Sequence, residues 1–279
     1  MKPKHINILL PTDFSDNAWN AVVYVLKLYE EQNCTFYFMH SPNIIVSQTS
    51  VKSTKLSETI NKAALKDLLE LKELAEVSNA NKNHHFEVVL GSENLKDAIE
   101  TAVRKHNLDL VVMGTKGATG AKELFFGSNT VSIIKKMRLT PILIIPEEYD
   151  FVIPTQIAFA TDFNRVYNHI ELNALKNLAS LHDSKIRIVH IDKEKNLSNV
   201  QQDNMEVLKK SLKEFEHSFH WMPDYANITI EINDFIEELK IDMLAMVNYR
   251  HNFIEKLVHE PVISRIGHHL KTPFLVIPD

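Results

Sequence analysis

Glycine is scarce in this chain. Its 279 residues include six glycines, against ~7% in an average protein, so few loops can take up positive φ or bring bare backbone close to a ligand. Cysteine is scarcer still. A single residue, Cys34, excludes an internal disulfide and fits a reducing compartment; just ahead of an apolar run, it reads as a buried thiol. No uninterrupted apolar stretch nears the ~20 residues of a membrane span, and the opening residues lack the apolar core of a signal peptide. The expected setting is cytoplasmic, with no membrane partner. Neither charge sign dominates: 31 Lys and Arg stand against 36 Asp and Glu, a net charge of -5, which gives no electrostatic reason to expect nucleic acid. With 44% hydrophobic residues there is material for one large domain or two of ordinary size.

Several chemistries lack their signatures. Neither Gly-x-x-x-x-Gly-Lys-[Ser/Thr] nor Gly-x-Gly-x-x-Gly occurs, and no Gly-x-Ser-x-Gly elbow or nucleophile beside a base is present. The 14 histidines include the close sets His84 with His85, His217 with His220 and His268 with His269. None has Cys or carboxylate companions at ligand spacing, and surface histidines account for them. No metal site and no catalytic residue is expected.

What is present is a concentration of the scarce residue. Gly114, Gly117, Gly120 and Gly127 all fall within 114–130. The apolar run 109–113 before them reads as a buried strand, and 131–137 after them has helical spacing with basic residues toward its end. A glycine-rich turn thus leaves a strand for a helix N-terminus, where unpaired N–H groups and the helix dipole favour an anion. The blander reading is a tight loop in which Ser128 or Asn129 caps the next helix; one cap needs one small polar residue, not four glycines.

Taken in order, 5–10 reads as a strand, 11–17 as a turn with helix-start chemistry, 18–32 as a helix, and 34–40 as an aromatic-rich second strand. A polar connection, 41–53, precedes a long amphipathic helix over 54–79. Strands at 86–90, 109–113 and 141–145 alternate with helices at 93–106 and 131–137. Such alternation predicts a parallel sheet covered on both faces, with ligands beyond the carboxyl ends of its strands where the strand order reverses.

The pattern then repeats. Thr12-Asp13-Phe14 recurs as Thr161-Asp162-Phe163, and the Thr-Pro sequence from Thr140 to Pro146 recurs from Thr272 to Pro278. The expected domains are 1–147 and 154–279. Matching Phe86 to Ile228 puts the third strand of the second copy near Ile228 and shrinks its third crossover helix to about 234–240. The second copy also lacks the glycines: Val247 replaces Gly114, and His259-Glu260-Pro261 replaces Gly127-Ser128-Asn129. Valine resists close backbone approach, Glu260 repels an anion and Pro261 removes a donor. Because Asp162 survives beside a lost cradle, the Thr-Asp-Phe turn must have a structural use, leaving open whether Asp13 also meets a ligand.

The spacing Gly-x2-Gly-x9-Gly-[Ser/Thr] of Gly114, Gly117, Gly127 and Ser128, with the Gly-Thr-Lys-Gly and Gly-Ser-Asn phrases around it, resembles the nucleotide-binding branch of the universal stress protein family. The resemblance covers nearly the whole chain. It implies an α/β fold of two tandem Rossmann-like (adenine nucleotide alpha hydrolase-like) domains, each a five-stranded parallel sheet flanked by helices. It implies ATP or another adenine nucleotide, with or without Mg²⁺, in the first domain only. Residue by residue, Gly114, Gly117, Gly127, Ser128 and Asn129 would meet ribose and phosphates, Thr12 and Asp13 the nucleoside, Ser41 the adenine through its backbone, and Met113 the sugar or base. Lys116 and Lys122 read as ordinary loop lysines. Single-domain members pair through their last strands, so an intrachain pseudo-dimer through 141–145 and 273–277 is implied, with homodimerisation optional and protein partners unspecified. The reading is a stress-response regulator, at most a slow ATPase. The alternative is a protein of the same fold that binds no nucleotide and acts through protein contacts.

Overall fold

The structure, a computed structural model, describes residues 5–42, 51–79, 81–115, 128–192, 196–223, 228–249 and 272–279. Strands and helices alternate: β1 (Ile6–Pro11), α1 (Asp16–Leu28), β2 (Cys34–His40), α2 (Val51–Ser78), β3 (His84–Leu90), α3 (Leu95–His106), β4 (Leu110–Gly114), α4 (Ser128–Lys136) and β5 (Ile142–Ile145). A second series follows: β6 (Gln156–Ala160), α5 (His169–Ala179), β7 (Lys185–Asp192), α6 (Asn199–Ser211), β8 (His217–Pro223), α7 (Ile228–Leu239), β9 (Met243–Asn248) and β10 (Phe274–Pro278). The described residues divide into two compact units at Ile142 and Leu143.

Local chemistry sets the boundaries. Ser15 caps α1 by accepting from the Ala18 N–H at 3.2 Å, and Ala18, Ala21, Val22, Val25 and Leu28 bury one helical face. Asn94 caps α3, which ends on Asn107 in the left-handed region at φ 47°, a residue type that tolerates that conformation. The central strands β1, β4 and β5 are buried nearly end to end, as expected of parallel strands covered on both faces.

Through the first series the strands lie in the order β3-β2-β1-β4-β5, and through the second β10-β9-β6-β7-β8. In each, the first strand pairs in parallel with both the second and the fourth. The chain therefore reverses its direction of travel across the sheet at β1 and β4, and again at β6 and β9, which are the positions where such sheets hold ligands. The duplication extends to single bonds at the opposite edge. The Asn7 N–H donates to Asp109 Oδ2 at 3.0 Å while the Asp109 N–H donates to the Asn7 carbonyl at 2.8 Å; Gln156 and Asp242 exchange the same two bonds at 2.9 Å each.

One sequence expectation fails. The segment beginning at Ile228 is the helix α7, and the third strand of the second unit is β8. The β-branched run from Ile228 imitates a strand, yet Ile232, Phe235, Ile236 and Leu239 recur at helical spacing and the first three are buried. The β8 sequence hides its nature by carrying His, Ser and Trp at half-buried positions throughout. The third crossover helix is consequently not shortened, since α3 and α7 both have 12 residues. The difference between the copies falls in the preceding helix, 28 residues in α2 against 13 in α6.

Candidate functional site

Beyond the carboxyl end of β1 the chain makes a tight turn held by its own side chains. The Thr12 N–H donates to the Met39 carbonyl at 2.8 Å, and Thr12 Oγ1 accepts from the Phe14 N–H at 2.9 Å. Phe14 takes the left-handed conformation at φ 63°, uncommon for a bulky residue. Asp13 Oδ1 accepts from the Ser15 N–H at 3.2 Å and from Ser15 Oγ at 2.6 Å, which fixes the residue that caps α1. His40, the last residue of β2, places Nδ1 2.7 Å from the Thr12 carbonyl, and its ring lies 4.8 Å from that of Phe14.

The second unit reproduces this turn. Thr161 Oγ1 accepts from the Phe163 N–H at 3.0 Å, Asp162 Oδ1 from the Asn164 N–H at 3.0 Å, and His190 Nδ1 lies 3.0 Å from the Thr161 carbonyl. Phe163 has φ 56°. Asp13 therefore has the structural use inferred from the repeat. The sequence reading missed His40, although its signal was present: each copy has a histidine at the end of its second strand, His40 as the last residue of β2 and His190 two residues before the end of β7.

The neighbouring strand β4 delivers Met113 and Gly114, both buried. A Cβ on Gly114 would come within 2.8 Å of the Asn17 side chain on α1, so glycine here serves close packing against the helix that follows the Thr-Asp turn. Thr130 Oγ1, buried in the first turn of α4, donates to the Gly114 carbonyl at 3.1 Å. This bond ties the start of α4 to the end of β4. The helix begins at Ser128, carries no acidic residue in its first turn and has Lys135 and Lys136 in its last, so no carboxylate of that first turn cancels the positive end of the dipole.

The predicted site residues are thus spread over four chain ends at the reversal point: Thr12 and Asp13 after β1, Ser41 after β2, Met113 and Gly114 at the end of β4, and Ser128 and Asn129 opening α4. Asn129 is exposed. The Ser41 hydroxyl is turned to the Glu93 carbonyl, and a Cβ on Gly91 would lie 2.8 Å from Ser41 Cβ. Gly117 and Gly127, with Lys116 and Lys122, lie outside the described residues, as does the side chain of Ser128.

The corresponding place in the second unit carries large side chains. Val247, at the position matching Gly114, is buried. The Arg165 guanidinium stands over two rings, 5.1 Å from the centre of Tyr167 and 4.8 Å from that of Tyr249, a cation–π arrangement with each. It pairs with the buried Glu171 and, at 3.1 Å, with Asp279 Oδ1. The Tyr167 hydroxyl meets Thr161 Oγ1 at 2.7 Å. Burial, then a hydrogen bond to Asp162, pushes the Tyr249 hydroxyl well above the ordinary tyrosine range, so it stays protonated and donates. Asp162, the counterpart of Asp13, is engaged by Tyr249 and by its own turn.

Among the described residues no three His, Cys, Asp or Glu side chains converge as a metal site, and no helix is long and apolar enough to cross a membrane. Cys34 is buried, and burial ahead of the nearby Asp109 charge pushes its thiol up to about 12, which keeps it unreactive.

Comparison with known proteins gives a consistent picture. A universal stress protein of Methanocaldococcus jannaschii is 28% identical over 141 residues, 50% of this chain and 80% of that protein. A universal stress protein structure from Archaeoglobus fulgidus superposes with a TM-score of 0.67 at 18% identity, covering 98% of both chains. The cytoplasmic domain of a prokaryotic cation chloride cotransporter superposes with a TM-score of 0.52 at 10% identity, over 99% of this chain and 96% of that one, so the fold alone does not fix a function. The sequence model of the universal stress protein family matches residues 6–146, half of the chain, and the protein belongs to the universal stress protein family.

Proposed function

We propose that the first unit binds an adenine nucleotide, foremost ATP, and that the protein acts as a cytoplasmic stress-response regulator whose output depends on that occupancy. The observation that carries this reading is the contrast between two copies of one architecture. Both keep the Thr-Asp-Phe turn and the histidine behind it. The second unit fills the reversal point with Arg165, Tyr167 and Tyr249, whereas the first has Gly114 there and a helix start free of acidic residues.

The residues present suit the ligand. Phosphates would lie toward the α4 N-terminus, where Ser128, Asn129 and the preceding Gly127 supply backbone N–H groups and small polar side chains. Gly114 and Gly117 would allow close approach of the ribose, Thr12 and Asp13 would border the nucleoside, Met113 would pack near it, and Ser41 would meet the base through its backbone. Mg²⁺, where it accompanies ATP, would be held chiefly by phosphate oxygens. No general base or arginine finger is specified, so turnover is at most slow.

A reading through partner contacts alone draws on one observation: Asp13 Oδ1 and the Ser41 hydroxyl already serve their own loops. Mass spectrometry of small molecules released on denaturing the purified protein, with Gly127→Val in parallel, separates the two. Near-stoichiometric adenine nucleotide in the wild type and none in the variant is expected. An empty wild type that also ignores added ATP and Mg²⁺ would give the lead to partner contact.

A further inference from the structure

The repeated turn treats its phenylalanine differently in the two units. Phe163 is 3% exposed. Its ring is flanked by His190 at 5.2 Å and Phe219 at 6.2 Å, and α6 closes over the turn, with Gln201 donating to the Asp162 carbonyl at 2.9 Å and Asn204 to the Phe163 carbonyl at 2.8 Å. Phe14 is 38% exposed. Its ring rests on His40 at 4.8 Å with a 39° tilt.

The sequence difference behind this exposure can be read from the strand register. Thr12 bonds to Met39 and Thr161 to Val189, which aligns β2 with β7 and makes Phe38 the counterpart of Ile188. Phe38 pairs with Val88 on β3, whereas Ile188 pairs with Phe219 on β8. At the register position of Phe219, the ring against Phe163, the first copy therefore carries the half-buried Val88. Among the described residues Phe14 thus keeps a partly exposed ring one residue from Asp13, backed by the His40 ring at the end of β2, where Ser41 follows.

Building on the nucleotide reading of this unit, we propose that Phe14, supported by His40, is the stacking face for the purine base and contributes to its selection. A flat π-system fits there for three reasons. The partly exposed ring sits in a turn whose φ of 63° is over-determined by Thr12, Asp13 and His40, so the platform is held before any ligand arrives. An aromatic ring supplies contact without needing a hydrogen-bond partner. Stacking also places the base at the end of β2, within reach of backbone at Ser41, while the ribose and phosphates run toward β4 and α4.

The test combines affinity with a direct contact. ATP binding in the presence of Mg²⁺ is measured by calorimetry for the wild type, Phe14→Leu and Phe14→Trp, and saturation transfer is recorded between the Phe14 ring protons and adenine H2 and H8. The expected result is at least about a tenfold loss of affinity in Phe14→Leu, retention in Phe14→Trp, and transfer from the ring to the base. Unchanged affinity in Phe14→Leu, or absence of transfer in a bound wild type, overturns the stacking role while leaving nucleotide binding intact. A wild type that binds no ATP overturns both.

Discussion

A side chain at position 114 collides with Asn17, and the consequences are measurable. Gly114→Ala should cost about 1–3 kcal/mol by overpacking, and Asn17→Ala should relieve much of that loss; a urea-denaturation double-mutant cycle that gave simple additivity would contradict the contact. Thr130→Val should cost about 1–3 kcal/mol in the same assay, because it leaves the Gly114 carbonyl short of its partner. His220 supplies a pH effect. Burial, then the nearby Arg187 charge, lowers its pKa from the ordinary histidine value. The unfolded chain therefore takes up this proton first as pH falls, so the stabilisation from neutral His220 is complete above ~6.5 and is lost on acidification below it. His220→Gln should flatten the fall in stability between about pH 7 and 5; an unaltered slope would show that His220 contributes nothing to it. At this scale the sequence was informative where a residue type is rare. Four clustered glycines drew attention to the end of β4, where Gly114 lies, but that Gly114 makes room for Asn17 depends on how α1 packs. His40 was legible only in hindsight, since a histidine at a strand end reveals its role once the neighbouring turn presents a carbonyl to it.

Among the elements, helix α5 illustrates how one side chain serves two structural ends. Asn168 and Glu171 form its capping box, and Glu171 in addition takes the Arg165 guanidinium that lies between Tyr167 and Tyr249. Arg165→Met should destabilise the second unit by roughly 2–4 kcal/mol, below the upper end for a broken buried pair because Arg165 keeps some contact with solvent. Chemical denaturation with a tryptophan signal from Trp221 would register it; no loss would show that the cluster is only decorative. Ser15→Ala should cost about 1 kcal/mol through the α1 cap and release the Asp13 turn. The amphipathic helices and the apolar central strands were readable because burial on one face or both leaves a distinct period. α7 was not, because three β-branched residues at its start imitate a strand, and β8 was not, because a half-exposed edge strand has no apolar run to announce it.

At the scale of the whole chain, the duplication was visible in two short phrases, Thr-Asp-Phe and Thr-Pro-x-Leu-x-Ile-Pro, since turns and strand starts recur in sequence when their backbone geometry is held in common. The inequality of the copies was legible in the glycines, which cluster in the first and are absent from the matching positions of the second. What sequence could not give was the content of the second site: an Arg set between two tyrosines joins residues 165, 167 and 249, which no local pattern connects. On the function proposed above the units are unequal, one holding a nucleotide and the other carrying Arg165, Tyr167 and Tyr249 at the equivalent place. Calorimetric titration with ATP and Mg²⁺ tests this most directly. One site per chain, abolished by Gly127→Val and unaffected by Arg165→Met in a protein that remains folded, is the predicted result; two sites per chain, or one that survives Gly127→Val and disappears with changes at Arg165, would contradict it.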